Sequence, residues 1–177
     1  MIQPVLQAFP PIVAEKSRVL ILGSMPSVVS LARVQYYAHS HNAFWRIIHD
    51  LWGADLPQDY AARSRFLLDH GLALWDVVAF CRREGSADAA IRDVVANDFA
   101  AFFQQWPRIE RVCFNGQAAE KLFVQKVLKA QGLSALDELR PGLRACRLPS
   151  SSPAHAVAYA KKLDQWQVVR QWVDDGI

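Results

Sequence analysis

The chain is poor in glycine, with eight in 177 residues, and none of them forms a GxGxxG array. It has no Walker-type lysine loop and no GxSxG elbow, which excludes the dinucleotide folds, P-loop NTPases and α/β-hydrolases built on those turns. Cysteine is scarcer still. Cys81, Cys113 and Cys146 stand far apart, with no CxxC and no His/Cys cluster at ligand spacing. Neither a zinc site nor an iron–sulfur cluster is expected, and no cofactor is implied. Cys113 and Cys146 lie in apolar runs and read as small buried hydrophobes, which suits a reducing cytoplasm. The opening stretch, MIQPVLQAFPPIVAEK, lacks a basic leader and is interrupted by prolines, so no signal peptide is expected. No stretch approaches the roughly 18 apolar residues of a membrane span, so no membrane partner is expected. Charge of one sign is also lacking. Twenty Lys and Arg against 17 Asp and Glu leave a net charge of +3, which permits a polyanionic partner without requiring one.

What is present fits one globular domain over residues 1–177, expected to be monomeric: 52% hydrophobic, 21% charged, and rich in Trp and Phe. After a short helical or extended lead-in over residues 1–17, the run RVLILG at 18–23 reads as a buried parallel strand. Asn42 to Trp52 reads as a helix, with Phe44, Ile47, Ile48 and Leu51 on one face and Gly53 at its end. A second helix runs from Pro57 to His70, closed by Gly71. Residues 73–79 form a candidate second strand with Asp76 inside it. Residues 81–88 are polar and read as flexible, followed by a helix near 93–106 carrying Phe99, Phe102 and Phe103. Arg111 to Asn115 is a third strand, Gly116 opens a helix to about Gln131, and Leu143 to Leu148 is a fourth strand. Ser152 then reads as a helix cap with Pro153 at the first helical position, opening a final helix to about Asp174. Strands alternating with helices imply a parallel sheet covered on both faces, a three-layer α/β/α sandwich.

Ligands of such sheets bind beyond the carboxyl ends of the strands. Three strand ends carry small or amide residues there: Gly23-Ser24-Met25-Pro26, Asn115-Gly116 and Pro149-Ser150-Ser151-Ser152. Glycine and proline after a strand are also ordinary turn chemistry. Ser150, Ser151 and Ser152 offer hydroxyls and backbone N–H groups suited to a phosphate, and His155 could donate to an anion. Tyr36 and Tyr37 sit in a loop, where aromatics either stack on a base or pack the loop down. Asn42 reads locally as a helix cap, although an amide can also position a water and stabilise developing charge. His39 and His41 have no evident third partner for a metal.

Four segments in order, GSMPS, YYAHSHNAFW, FNGQAAEKLF and LPSSSPAHA, resemble the uracil-DNA glycosylase superfamily, and within it the hypoxanthine-DNA glycosylase group. The resemblance spans most of the chain. It implies a four-stranded parallel sheet with a DNA-binding groove at its carboxyl end, and hydrolysis of the bond between a deaminated base and deoxyribose. Most uracil-excising members carry Asn, Asp or Glu where this chain has Met25, which can neither polarise nor orient a water. In the hypoxanthine group the catalytic residue is the asparagine of the NxFW stretch, here Asn42. The same resemblance implies that Tyr37 stacks on the flipped base, and that Gly23, Ser24, Met25, Pro26 and the amide of Asn115 line and read it. Ser150, Ser151, Ser152 and His155 would contact flanking phosphates. No lysine within these motifs is an evident Schiff-base nucleophile, which implies a glycosylase without lyase activity. The last motif offers only small residues as a duplex wedge, so the wedge lies elsewhere, for instance in the Arg82–Arg83 loop, or single-stranded DNA is preferred. A uracil or xanthine glycosylase, a nucleosidase and a non-catalytic damage binder are the competing expectations.

Overall fold

Apolar side chains on both faces of a strand require cover on both sides. Val19 to Leu22 are completely buried, and they form the middle of the molecule. The computed structural model describes residues 4–175. In chain order the elements are β1 (Val5–Gln7), β2 (Val19–Gly23), α1 (Val28–Arg33), α2 (Phe44–Asp50), α3 (Tyr60–Asp69), β3 (Leu72–Asp76) and β4 (Val78–Arg82). They continue as β5 (Arg92–Ala96), α4 (Phe99–Gln105), β6 (Arg111–Asn115), α5 (Gln117–Phe123), α6 (Leu136–Leu139), β7 (Arg144–Leu148) and α7 (Tyr159–Asp174).

The main sheet has strand order β3-β2-β6-β7, with every neighbouring pair parallel. Alternation along β2 sorts the core into two layers. Leu20 and Leu22 face Phe99, Phe102, Phe103 and Phe123 from α4 and α5. Val19 and Ile21 face Phe44, Ile47, Ile48, Leu67 and Trp166 from α2, α3 and α7. The expected α/β/α sandwich with a four-stranded parallel sheet is therefore the observed architecture.

Several local expectations are corrected. The run 73–79 is two strands rather than one. β3 ends at Asp76, and Val77 turns the chain into β4, which joins a second, antiparallel sheet of order β1-β4-β5. Backbone bonds from Val77 N to the Gly23 carbonyl and from Val78 N to the Ser24 carbonyl steer that departure. A continuous apolar run carries no mark of such a switch. Residues 93–96, expected within a helix, belong to β5, which pairs with β4, and α4 starts only after Asp98, whose carboxylate accepts from Ala101 N at 3.0 Å. The helix opened by Gly116 is α-helical only to Phe123, then widens into a π-turn over Val124–Leu128 and a 3₁₀ turn over Lys129–Gln131. The last helix begins at Tyr159, so Ser152 and Pro153 are loop residues. The lead-in contains the extended β1; its first three residues lie outside the described ones. In the small sheet, Met25 packs with Val78, Cys81 and Ile91.

Leu20 tests the layering. Leu20→Ala leaves a cavity between β2 and the phenylalanine cluster, and the expected cost is about 2–5 kcal/mol. A denaturant titration should show a lower midpoint with an unchanged slope.

Candidate active site

The carboxyl ends of β2, β3 and β6 open into one cavity of about 420 Å³. Gly23, Ser24, Met25 and Pro26 line it from β2 and the loop that follows. Tyr37 and Asn42 border it from the loop before α2, Asn115 from β6, and Ser150, Ser151 and Ser152 from the loop after β7. His155 stands apart, exposed on a second depression with Gly116 and Arg147.

The floor depends on Gly23. A Cβ there would lie 2.3 Å from Asp76 Oδ1 and 2.8 Å from the Tyr37 hydroxyl, closer than any real contact. Only a residue without a side chain lets the acid and the phenol converge over this backbone. Tyr37 is held in that place from several sides. Its backbone is left-handed, with φ of 52°, a strained conformation for an aromatic residue. One ring face stacks on Phe44 with centroids 4.1 Å apart. Its hydroxyl accepts from Asn115 Nδ2 at 2.9 Å. Burial and the neighbouring Asp76 push its phenol well above the ordinary tyrosine range, so it stays protonated. Tyr36 faces away from solvent at 3% exposure and donates to the Pro10 carbonyl at 3.0 Å, packing the loop down. Trp45 Nε1 donates to the Tyr36 carbonyl, and Ser30 Oγ accepts from Ala38 N, closing the loop's other side.

Asn115 is held within the protein by three hydrogen bonds. Its Nδ2 donates to Tyr37 and to Ser151 Oγ, and its Oδ1 accepts from Ser151 N at 2.8 Å. Ser151 is buried, and its carbonyl accepts from Ala43 N at 3.0 Å. This serine is thus a strut between three elements rather than an exposed anion contact. Lys162, buried on α7, donates from Nζ to the Ser152 carbonyl and steadies the same loop.

Asn42 stands at the entrance to α2, partly exposed. Its Oδ1 accepts from Phe44 N at 3.0 Å, which satisfies a first-turn donor as a capping residue does. The cap position itself is Ala43. A carboxamide oxygen has two lone pairs, so the second remains for a water's proton, and no protein group among the described residues accepts from Nδ2.

Sequence reasoning missed the segment that covers the loop after β2. Ser24 Oγ donates to Asp88, Val28 N donates to Ser86 Oγ at 2.9 Å, and the Arg83 guanidinium donates to the Pro26 carbonyl. Arg83 is 5% exposed, which removes it as a wedge for the duplex. Nothing local to residues 83–88 marks them as partners of residues 24–28.

Asp76, singled out only as an acid within an apolar run, is 3% exposed and lines the cavity. Its Oδ2 has no hydrogen-bond partner among the described residues. Burial raises its pKa to about 7, with the negative charge of Asp88 adding to the shift and Arg83 opposing it. An acid that holds its proton more tightly folded than unfolded costs stability as pH rises from the usual carboxylate range to its raised value. Asp76→Asn is therefore expected to raise the unfolding midpoint more at pH 8 than at pH 5. Thermal melts of both proteins at the two pH values check this, and an equal gain at both would contradict it.

The model of the uracil DNA glycosylase superfamily matches residues 10–174. A protein of Methanosarcina barkeri named hypoxanthine DNA glycosylase is 37% identical over 127 residues, 71% of this chain and 79% of the relative. One of Methanosarcina acetivorans with the same name is 33% identical over 165 residues, 92% and 96% of the two chains. A solution NMR structure from Methanosarcina acetivorans, described as a candidate uracil DNA glycosylase, superposes with a TM-score of 0.77 at 30% identity, covering 97% of this chain and 99% of its own. With that match running through the sheet, the cavity and the final helix, the chain belongs to the uracil DNA glycosylase superfamily.

Proposed function

We propose that this protein is a monofunctional DNA glycosylase that hydrolyses the N-glycosidic bond of a deaminated base, with hypoxanthine in deoxyinosine as its preferred substrate. The observation that carries the proposal is the meeting of Tyr37 and Asn42 on one cavity at the carboxyl end of the sheet. The two Methanosarcina relatives named hypoxanthine DNA glycosylase support the choice of base.

The scissile bond is inaccessible within a base stack, so the nucleotide is flipped into the cavity. A hypoxanthine pair unstacks more cheaply than a normal pair, which supplies part of the selectivity. Tyr37, backed by Phe44 and tied to Asn115, offers a rigid aromatic surface for the flipped base. Three hydrogen bonds within the protein hold Asn115, so it positions Tyr37 and keeps the second lone pair of Oδ1 for the edge of the base. Backbone groups of Ser24 to Pro26 border the base, and Met25 contributes an apolar wall anchored in the small sheet.

As the bond breaks, positive charge grows on the sugar and negative charge on the base. Asn42 Oδ1 accepts from the attacking water and holds it against the anomeric carbon, which an amide can do without acting as a strong base. Ser150, Ser152 and His155 border the mouth of the cleft and its neighbouring depression, where they contact flanking phosphates. Lys162 is committed to a carbonyl and lies outside the cavity lining, in keeping with hydrolysis rather than Schiff-base chemistry. The protein acts as a monomer without metal or cofactor, in the cytoplasm; no helix of the described residues is long and apolar enough to cross a membrane.

The test is alkali-dependent cleavage of a labelled oligonucleotide containing one deoxyinosine, beside deoxyuridine and deoxyxanthosine controls. Wild type should cut at deoxyinosine, and Asn42→Ala should lose about a hundredfold or more. Cutting only at deoxyuridine or deoxyxanthosine would reassign the base. Salt-sensitive DNA binding without base release would make the protein a damage binder.

A further inference from the structure

The mechanism above leaves the most unusual group of the cavity unused. A buried carboxyl oxygen without a donor is costly to keep, and ordinary packing replaces it with an apolar side chain. Asp76 occupies the last position of β3, and Asn97 Nδ2 holds its backbone carbonyl at 2.8 Å. Its side chain therefore stands at a fixed place on the cavity floor, beside Gly23. Oδ2 is buried and has no hydrogen-bond partner among the described residues.

We infer that Asp76, in its carboxylic-acid form, donates a hydrogen bond to a carbonyl or ring-nitrogen acceptor of the flipped base and strengthens it as that base departs. This rests on the glycosylase reading, and it gives that reading its missing stabiliser of the leaving group. Hypoxanthine, uracil and xanthine all delocalise the electrons of the broken bond onto carbonyl oxygens. A neutral donor in the cavity lining gains strength as the charge develops, because the bound base shields it from competing water. An ionised carboxylate in the same place would repel it.

The surroundings keep the acid form available. Asp88 lies across the cavity on the segment bonded to Ser24, and its charge opposes ionisation of Asp76. Arg83, from the end of β4, opposes it in the other direction. Tyr36 and Tyr37, from the loop before α2, both feel the charge of Asp76 and remain neutral phenols. The balance leaves Asp76 with a pKa of about 7. An acid kept neutral near physiological pH by burial, and used as a donor, is an established device for stabilising a developing anion.

The experiment is single-turnover base release, with enzyme in excess, from pH 5.5 to pH 9. Wild type, Asp76→Asn and Asp76→Leu are compared on deoxyinosine and deoxyuridine oligonucleotides. Wild type should slow about tenfold for each pH unit above the Asp76 pKa, because only the acid form donates. Asp76→Asn keeps an uncharged donor, so its rate should be lower at pH 6 but flat with pH, and the mutant-to-wild-type ratio should climb about tenfold or more by pH 8.5. Asp76→Leu has no donor and should lose about a hundredfold at pH 6 while remaining folded by circular dichroism. A falling limb that survives unchanged in Asp76→Asn would overturn the inference alone. A wild type that releases no base at any pH would overturn the glycosylase reading, and the inference with it.

Discussion

The absence of a side chain at position 23 is the constraint on which the cavity depends. β2 runs through the middle of the sheet, so its carboxyl end has neighbours on both sides, and there is room above Gly23 for two oxygen atoms and nothing more. One comes from β3, through Asp76. The other comes from a loop that packs over the sheet, through Tyr37. An alanine would push against both at once, and both oxygens would have to shift. Asp76 is pinned by its strand and by Asn97 on its carbonyl, and Tyr37 is wedged between Phe44 and Asn115.

From that point the bracing spreads outward through side chains that serve one another. Asn115 ties Tyr37 to Ser151, and Ser151 in turn receives Ala43 N at the start of α2, the next residue after Asn42. Tyr37, Asn42 and the serine loop are therefore positioned by one hydrogen-bonded chain, although they come from distant parts of the sequence. Connected polar groups of this kind, fully satisfied and out of water, hold geometry better than isolated contacts do. The opposite wall is more exposed, with Asp88, Ser86 and Arg83 each bonded to the segment that follows β2. Preorganisation costs little at the moment of reaction because these groups are already where they are needed.

Met25 shows how one position can serve two purposes. Its residue type denies it any part in activating water, yet at 7% exposure it fills the core of the small antiparallel sheet and still borders the cavity. That sheet carries the covering segment between β4 and β5. A polar residue at position 25 would have to be buried against Val78, Cys81 and Ile91, and would weaken the attachment. In the function we propose, holding the attacking water is then left to Asn42, and stabilising the departing base to Asp76.

Local sequence determined the four parallel strands, because strands buried on both faces must be short apolar runs ended by turn residues, as in 18–23 and 111–115. It also determined which loops border the cleft, since parallel strands deliver their carboxyl ends to the same edge, and the motif spacing carried the superfamily. Tertiary structure alone decided the second sheet: the apolar run 73–79 has no local signal at Val77 to say that it leaves one sheet for another, and Val94 and Val95 lie in a segment that local pattern assigns to a helix. It alone decided that the last helix starts at Tyr159, because Ser151 and Lys162 hold the preceding loop through partners far away in the chain. Above all it decided the states of the polar groups. Which partners hold the amide of Asn115, and whether Asp76 is an ion or an acid, depends on burial and on groups brought from other elements, and those quantities exist only once the chain has folded.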